Sequence, residues 1–122
     1  MTEPIYDKVD QLQKIQANLL PNESIIAVYD AIGAGTGFIG LTDRRVIIQD
    51  NSFVGKKVAL TSLPYKRVHA VAYVSDKSFL GSFASTSTIA INAGSAMYEV
   101  QFRGEAKAKH THDVILHYVI HS

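Results

Sequence analysis

Five histidines are the residues of this chain best suited to metal or proton chemistry. His110 and His112 form a His-x-His pair, and Asp113, His117 and His121 follow at four-residue steps, on one face of a predicted helix. An i, i+4 pair of imidazoles can hold one zinc ion, with Asp113 adding an oxygen. The ligand set is incomplete, and no glutamate stands beside the pair as in a metalloprotease helix. The alternative is a polar stripe in which Asp113 pairs with His117. No metal and no other cofactor is assigned. Ser82, Ser85 and Ser87 lack the Gly-x-Ser-x-Gly elbow of a nucleophile, so no catalytic residue is assigned either. His69 is expected to face outward or to be satisfied within the core. Gly35–Gly40 matches the dinucleotide pattern Gly-x-Gly-x-x-Gly, which works only when a helix N-terminus follows it. Here Leu41 and Val46–Ile48 read as strand, so the glycines read as a hairpin. Gly55-Lys56-Lys57 lacks the first glycine and the Ser or Thr of a phosphate loop.

Three basic pairs remain: Arg44-Arg45, Lys56-Lys57 and Lys66-Arg67. In an up-and-down strand order, Arg44, Arg45, Lys66 and Arg67 fall at one end and Lys56-Lys57 at the other. The first four are candidate contacts to an anion or a membrane surface, each worth about 1 kcal/mol beside anionic lipid. Their competing role is to solubilise the chain and protect sheet edges. The formal net charge of +1 argues against a dedicated nucleic-acid binder. Absence of cysteine excludes disulfides and thiolate metal sites. Met1–Asp10 is polar and acidic, unlike a signal peptide. No apolar run approaches the roughly 20 residues of a membrane span. The expected location is the cytosol.

The elements that must carry these residues fit one domain of 122 residues. Ile5, Val9, Leu12, Ile15 and Leu19 recur at helical spacing, which predicts a helix over Pro4–Leu20, ended by Pro21. Seven strands are expected: Ser24–Ile32, Phe38–Leu41, Arg45–Asp50, Lys57–Leu63, Val68–Val74, Ser85–Ile91 and Tyr98–Arg103. The first is apolar on both faces. Val58 and Leu60 mark the inward side of the fourth, and Val68, Ala70, Ala72 and Val74 share one side of the fifth. Ser85–Thr88 reads as a solvated face. In the last, Tyr98, Val100 and Phe102 oppose Glu99, Gln101 and Arg103. Glu105–His121 is predicted to be the closing helix, apolar nearly all round in its last two turns. One face is expected to plug the sheet, and another to meet the N-terminal helix or a second subunit. Val9, Leu12, Leu116, Val119 and Ile120 are the candidate oligomer contacts.

Three short stretches sharpen this outline. They are Leu20-Pro21-Asn22-Glu23-Ser24-Ile25, Gly40-Leu41-Thr42-Asp43-Arg44-Arg45-Val46 and Leu63-Pro64-Tyr65-Lys66-Arg67-Val68. Their order and spacing, within helix–seven strands–helix, resemble the bacterial pleckstrin homology (PH) family. The resemblance implies a mainly β, PH-like seven-stranded antiparallel barrel or orthogonal sandwich, capped by a C-terminal helix, with an additional N-terminal helix. The N-terminal helical extension would span residues 1–22 and the PH-like domain residues 23–122. The resemblance further implies a non-enzymatic binding or scaffolding module that forms homo-oligomers. Eukaryotic domains of this fold often bind phosphoinositides through basic residues after the first strand. Gly33–Gly37 carries no lysine or arginine there. Anionic lipid or ligand binding through Arg44, Arg45, Lys66 and Arg67 is the alternative reading.

Overall fold

The computed structural model describes residues 3–33, 36–51, 58–76 and 86–122. Lys56, Lys57, Ser82 and Ser85 lie outside these residues. The described elements run β1 (Ile5–Tyr6), α1 (Val9–Gln16), β2 (Ile25–Asp30), β3 (Thr36–Thr42), β4 (Arg45–Asp50), β5 (Ala59–Pro64), a short 3-10 turn (Tyr65–Arg67), β6 (Ala70–Asp76), β7 (Thr86–Ala93), β8 (Ala96–Arg103) and α2 (Ala106–Ile120). Two sheets result, one in the order β1-β2-β3-β4-β5 and one in the order β6-β7-β8. One bridge, Ile32 to Gln101, joins their corner. The assembly is a sandwich rather than a closed barrel.

The main core lies between the sheets and under α2. Tyr29, Ile39, Leu41, Val46 and Ile48 enter it from one sheet, Ile89, Ile91, Val100 and Phe102 from the other, and Ala108 and Ile115 from α2. A second, smaller core sits on the other face of the larger sheet. There Leu12 and Ile15 of α1 cover Val28, Phe38 and Ile47. Residues alternate across a strand, so burial of both faces requires apolar side chains at successive positions. This is why Val46, Ile47 and Ile48 are all buried, and why β2 has so little polar surface.

Gly40 lets α1 approach. A Cβ there would stand 2.7 Å from Ile15 Cδ1 and 3.0 Å from its Cγ1. Ile15 is itself fully buried and has nowhere to retreat. Gly40→Ala is therefore expected to cost about 1–3 kcal/mol by overpacking, read as a lower urea midpoint. A variant with the wild-type midpoint would show that α1 does not need this close approach.

Four details differ from the sequence expectation. The N-terminal helix begins at Val9, not Pro4; Ile5 and Tyr6 instead pair in parallel with Ala27 and Val28. The open edge of β2 offers partners, with Asp7 N–H donating to Val28 O (3.2 Å) and Asp30 N–H to Asp7 Oδ2 (2.9 Å). These tertiary bonds override a weak local helix preference. In β6 the core face is Val71 and Tyr73, whereas Ala70, Ala72 and Val74 point away. Alanine and valine fit either face of a pleat, so alternation did not fix the side. Val58 precedes β5 and is half exposed, leaving Leu60 to meet the second core. Ser87 is buried, so the serine- and threonine-rich start of β7 is not a solvated face throughout.

Candidate functional site

Leu20 and Glu23 flank a tight turn closed by Glu23 N–H donating to Leu20 O at 3.1 Å. Pro21 occupies its second position, and Asn22 its third, with φ of 64°. That is type II turn chemistry, in which proline presets one dihedral and asparagine tolerates the left-handed region. The turn aims the Glu23 carboxylate at the β3–β4 hairpin. Its oxygens accept from Arg45 Nε at 2.9 Å and Arg45 Nη2 at 3.0 Å, from Thr42 Oγ1 at 2.7 Å and from Leu20 N–H at 2.9 Å. Thr42 Oγ1 in turn accepts from the N–H groups of Arg44 and Arg45, both at 3.0 Å. Tyr65 O–H, from the 3-10 turn, donates to Thr42 O at 2.7 Å. The three stretches singled out in the sequence thus meet in one hydrogen-bonded junction. Burial pushes the Glu23 pKa up, but the bonds from Arg45, Leu20 and Thr42 and the Arg45 charge outweigh it and hold the pKa at about 2.

The four basic candidates therefore have different fates. Arg45 is committed to Glu23; its Nη2 donates also to Asn18 O (2.7 Å), and its remaining nitrogen, Nη1, donates to Ser62 Oγ (2.8 Å). Arg44 is largely exposed, and its guanidinium makes only long contacts among the described residues, to Asp43 (4.0 Å) and Asn22 O (3.4 Å). Lys66 and Arg67 are exposed on the 3-10 turn and make no ion pair among the described residues. Arg44 and Lys66 lie together, at the rim of a cleft of about 270 Å³ that is also lined by Asp43, Pro64, Tyr65, Tyr118, His121 and Ser122. Tyr65 and Tyr118 stack there, ring centroids 5.1 Å apart and planes 19° from parallel. Arg67 does not line this cleft. The sequence reading missed the contribution of α2, whose last turn supplies Tyr118 and whose C-cap is His121.

The histidines do not gather. His110 Nδ1 is 2.6 Å from Tyr29 O–H at the edge of the main core. His112 turns to the other side, 3.0 Å from Asp113 and with its ring 6.0 Å from that of Tyr73. Asp113 pairs with Lys109 and His112 rather than His117. His117 and His121 do share a face, with ring centroids 4.5 Å apart, but His121 Nδ1 lies 2.6 Å from the His117 carbonyl. Among the described residues no three histidine, aspartate or glutamate side chains are placed to hold a metal ion. His69 is exposed. The glycine pattern ending at Gly40 runs into β3, not a helix. Among the described residues no helix is long and apolar enough to cross a membrane.

Of the interface candidates, Leu12 is only 7% exposed and is used inside its own chain, against Val28, Phe38 and Ile47. Val119 is half-buried against the main core. Val9, Leu116 and Ile120 face outward, at 55%, 40% and 67% exposure.

A two-sheet sandwich closed by a C-terminal helix gives the chain a pleckstrin-homology-like fold. The family model "Bacterial PH domain" matches residues 1–119, and the chain belongs to that family. Its fold is similar to a crystal structure of a pleckstrin homology domain from Shewanella amazonensis SB2B. That match has a TM-score of 0.68 and 19% identity, and covers 93% of this chain and 99% of the other. It is also similar to a protein with a pleckstrin-homology domain from Shewanella loihica PV-4, at TM-score 0.65 and 20% identity, covering 93% and 94% of the two chains. Among curated proteins no match was found.

Proposed function

We propose that this protein is a non-enzymatic, cytoplasmic PH module that self-associates and acts as a scaffold. The observation that carries this reading is the outer row of α2. Its inner row, Ala108, Thr111 and Ile115, is fully buried, yet Leu116 and Ile120 stand exposed one turn apart. α1 does not cover them, because it is occupied on the far face of the larger sheet. A second set of apolar side chains, Ile5, Tyr6 and Val9, is exposed around β1 and the start of α1, at the other end of α2. The Lys107–Asp7 ion pair of 3.0 Å ties that patch to the first turn of the helix. Leu116 lies nine residues further on, roughly 14 Å along the axis at 1.5 Å per residue. Two separate apolar patches on one chain favour head-to-tail contact, one patch against the other of the next copy.

Light scattering coupled to size-exclusion chromatography tests the reading. The wild type is expected at a multiple of the 13.4 kDa chain mass. Leu116→Glu with Ile120→Glu, and separately Val9→Glu, are expected to give monomers with unchanged circular dichroism, because all three side chains already face solvent. A wild type that stays at one chain mass across micromolar concentrations would refute self-association.

A further inference from the structure

We propose that the cleft between the β3–β4 turn, the 3-10 turn and the end of α2 binds a small amphipathic anion, a ligand with one planar apolar body and one carboxylate or phosphate group. The volume, about 270 Å³, falls just below the roughly 300–1,000 Å³ of drug-sized ligand sites, which suits a small ligand. Its wall is apolar and prearranged. The Tyr65 hydroxyl is spent on Thr42 O, and its ring, only 3% exposed, backs the Tyr118 ring stacked on it, so Tyr118 is the aromatic surface a ligand would meet. Pro64 extends that surface.

Among its charged side chains the rim carries Arg44 and Lys66 against the one carboxylate of Asp43. Asp43 Oδ1 already accepts from Ser24 N–H at 2.9 Å. The Arg44 guanidinium has only its two long contacts, while its backbone N–H is anchored on Thr42 Oγ1. Lys66 has no ion-pair or hydrogen-bond partner among the described residues. Two cationic side chains against one side-chain carboxylate, beside the surface of Tyr118 and Pro64, select a ligand that is both anionic and flat. A membrane surface fits less well. Arg45 is consumed by Glu23 and Arg67 is off the rim, so two cations remain, each contributing about a fivefold factor near anionic lipid. The inference stands apart from self-association, because none of these residues belongs to either exposed apolar patch.

The test is a solution NMR titration with phenyl phosphate, alongside inorganic phosphate and vesicles containing phosphatidylserine. Saturable shifts are expected at Tyr65, Lys66 and Tyr118–Ser122, with inorganic phosphate binding at least tenfold more weakly. Lys66→Gln and Arg44→Gln are each expected to weaken phenyl phosphate binding by about tenfold, without changing the light-scattering mass. Both side chains are exposed, so both variants should keep the wild-type urea midpoint. Absence of saturable shifts overturns the proposal. So does equal binding of phenyl phosphate and inorganic phosphate, which means an unspecific anion patch. Arg44- and Lys66-dependent binding to vesicles, with none to phenyl phosphate, also overturns it and assigns the cations to a membrane surface.

Discussion

Replacing Glu23 by alanine is expected to destabilise the domain by about 3–5 kcal/mol, the cost of breaking a buried charge pair from one side. The Glu23 side chain is fully buried and that of Arg45 is 14% exposed. Deletion removes the charge partner of the Arg45 guanidinium, which keeps only neutral acceptors, and takes an acceptor from the Thr42 hydroxyl and the Leu20 N–H at once. Typical domains are stable by only about 5–15 kcal/mol, so the variant should unfold at much lower urea. In a double-mutant cycle with Arg45→Met, the two losses should fall short of additivity by at least about 1 kcal/mol, because each change removes the same contact. Additive losses would show that the junction is not a unit. The pH dependence follows from the same carboxylate. Its folded pKa, about 2, lies below the ordinary 4.5, so the unfolded state binds the extra proton between those values. The stabilisation is therefore complete above about pH 5 and is lost as pH falls toward 2, amounting to about 3 kcal/mol. Glu23→Gln should flatten this acid limb of the stability curve; an unchanged limb would assign acid sensitivity to other groups.

Phe102→Ala is expected to cost about 3–5 kcal/mol, the range for a fully buried aromatic. Phe102 links all three layers. It projects from β8, meets the Tyr29 ring edge-on at a centroid distance of 6.3 Å, and Tyr29 reaches His110 of α2 through its hydroxyl. Loss of the ring should thus loosen α2 as well as the sheets. Urea unfolding gives the magnitude, and amide exchange across Ala106–Ile120 gives the location, with faster exchange expected there than in Tyr98→Ala. Tyr98 is only half-buried at the edge of the same core, so it supplies the comparison. A loss under about 1 kcal/mol would mean that the core beneath α2 is poorly packed.

Much of the frame was legible because period-two patterning is a local signal. Tyr98, Val100 and Phe102 point inward as their alternation required. The apolar doubling in β2 signalled a sheet covered twice. The three short stretches identified the family without revealing why they are there. Glu23, Thr42, Arg45 and Tyr65 are up to 42 residues apart in sequence, and only folding brings them within 3 Å of common partners. Arg45 illustrates the difficulty. As a letter it is one of a basic pair, indistinguishable from Arg44. In the fold, alternation along β4 sends it to Glu23, while Arg44, one position earlier in the turn, stays at the rim of the cleft. The cleft itself left no sequence signal, since its two tyrosines stand 53 positions apart.

By itself, then, the amino-acid order determined the strand–helix succession from α1 onward, the inward face of β8 and the terminal helix that closes the sandwich. Those features depend on hydrophobic period and turn chemistry, which act between near neighbours. Tertiary structure alone decided that Ile5–Tyr6 is a strand, that Val71 and Tyr73 face the core, and which cations stay available. Each of these turns on a partner distant in sequence: the open edge of β2, the opposing sheet, the carboxylate of Glu23. Short-range propensities of under about 1 kcal/mol per residue yield to such contacts.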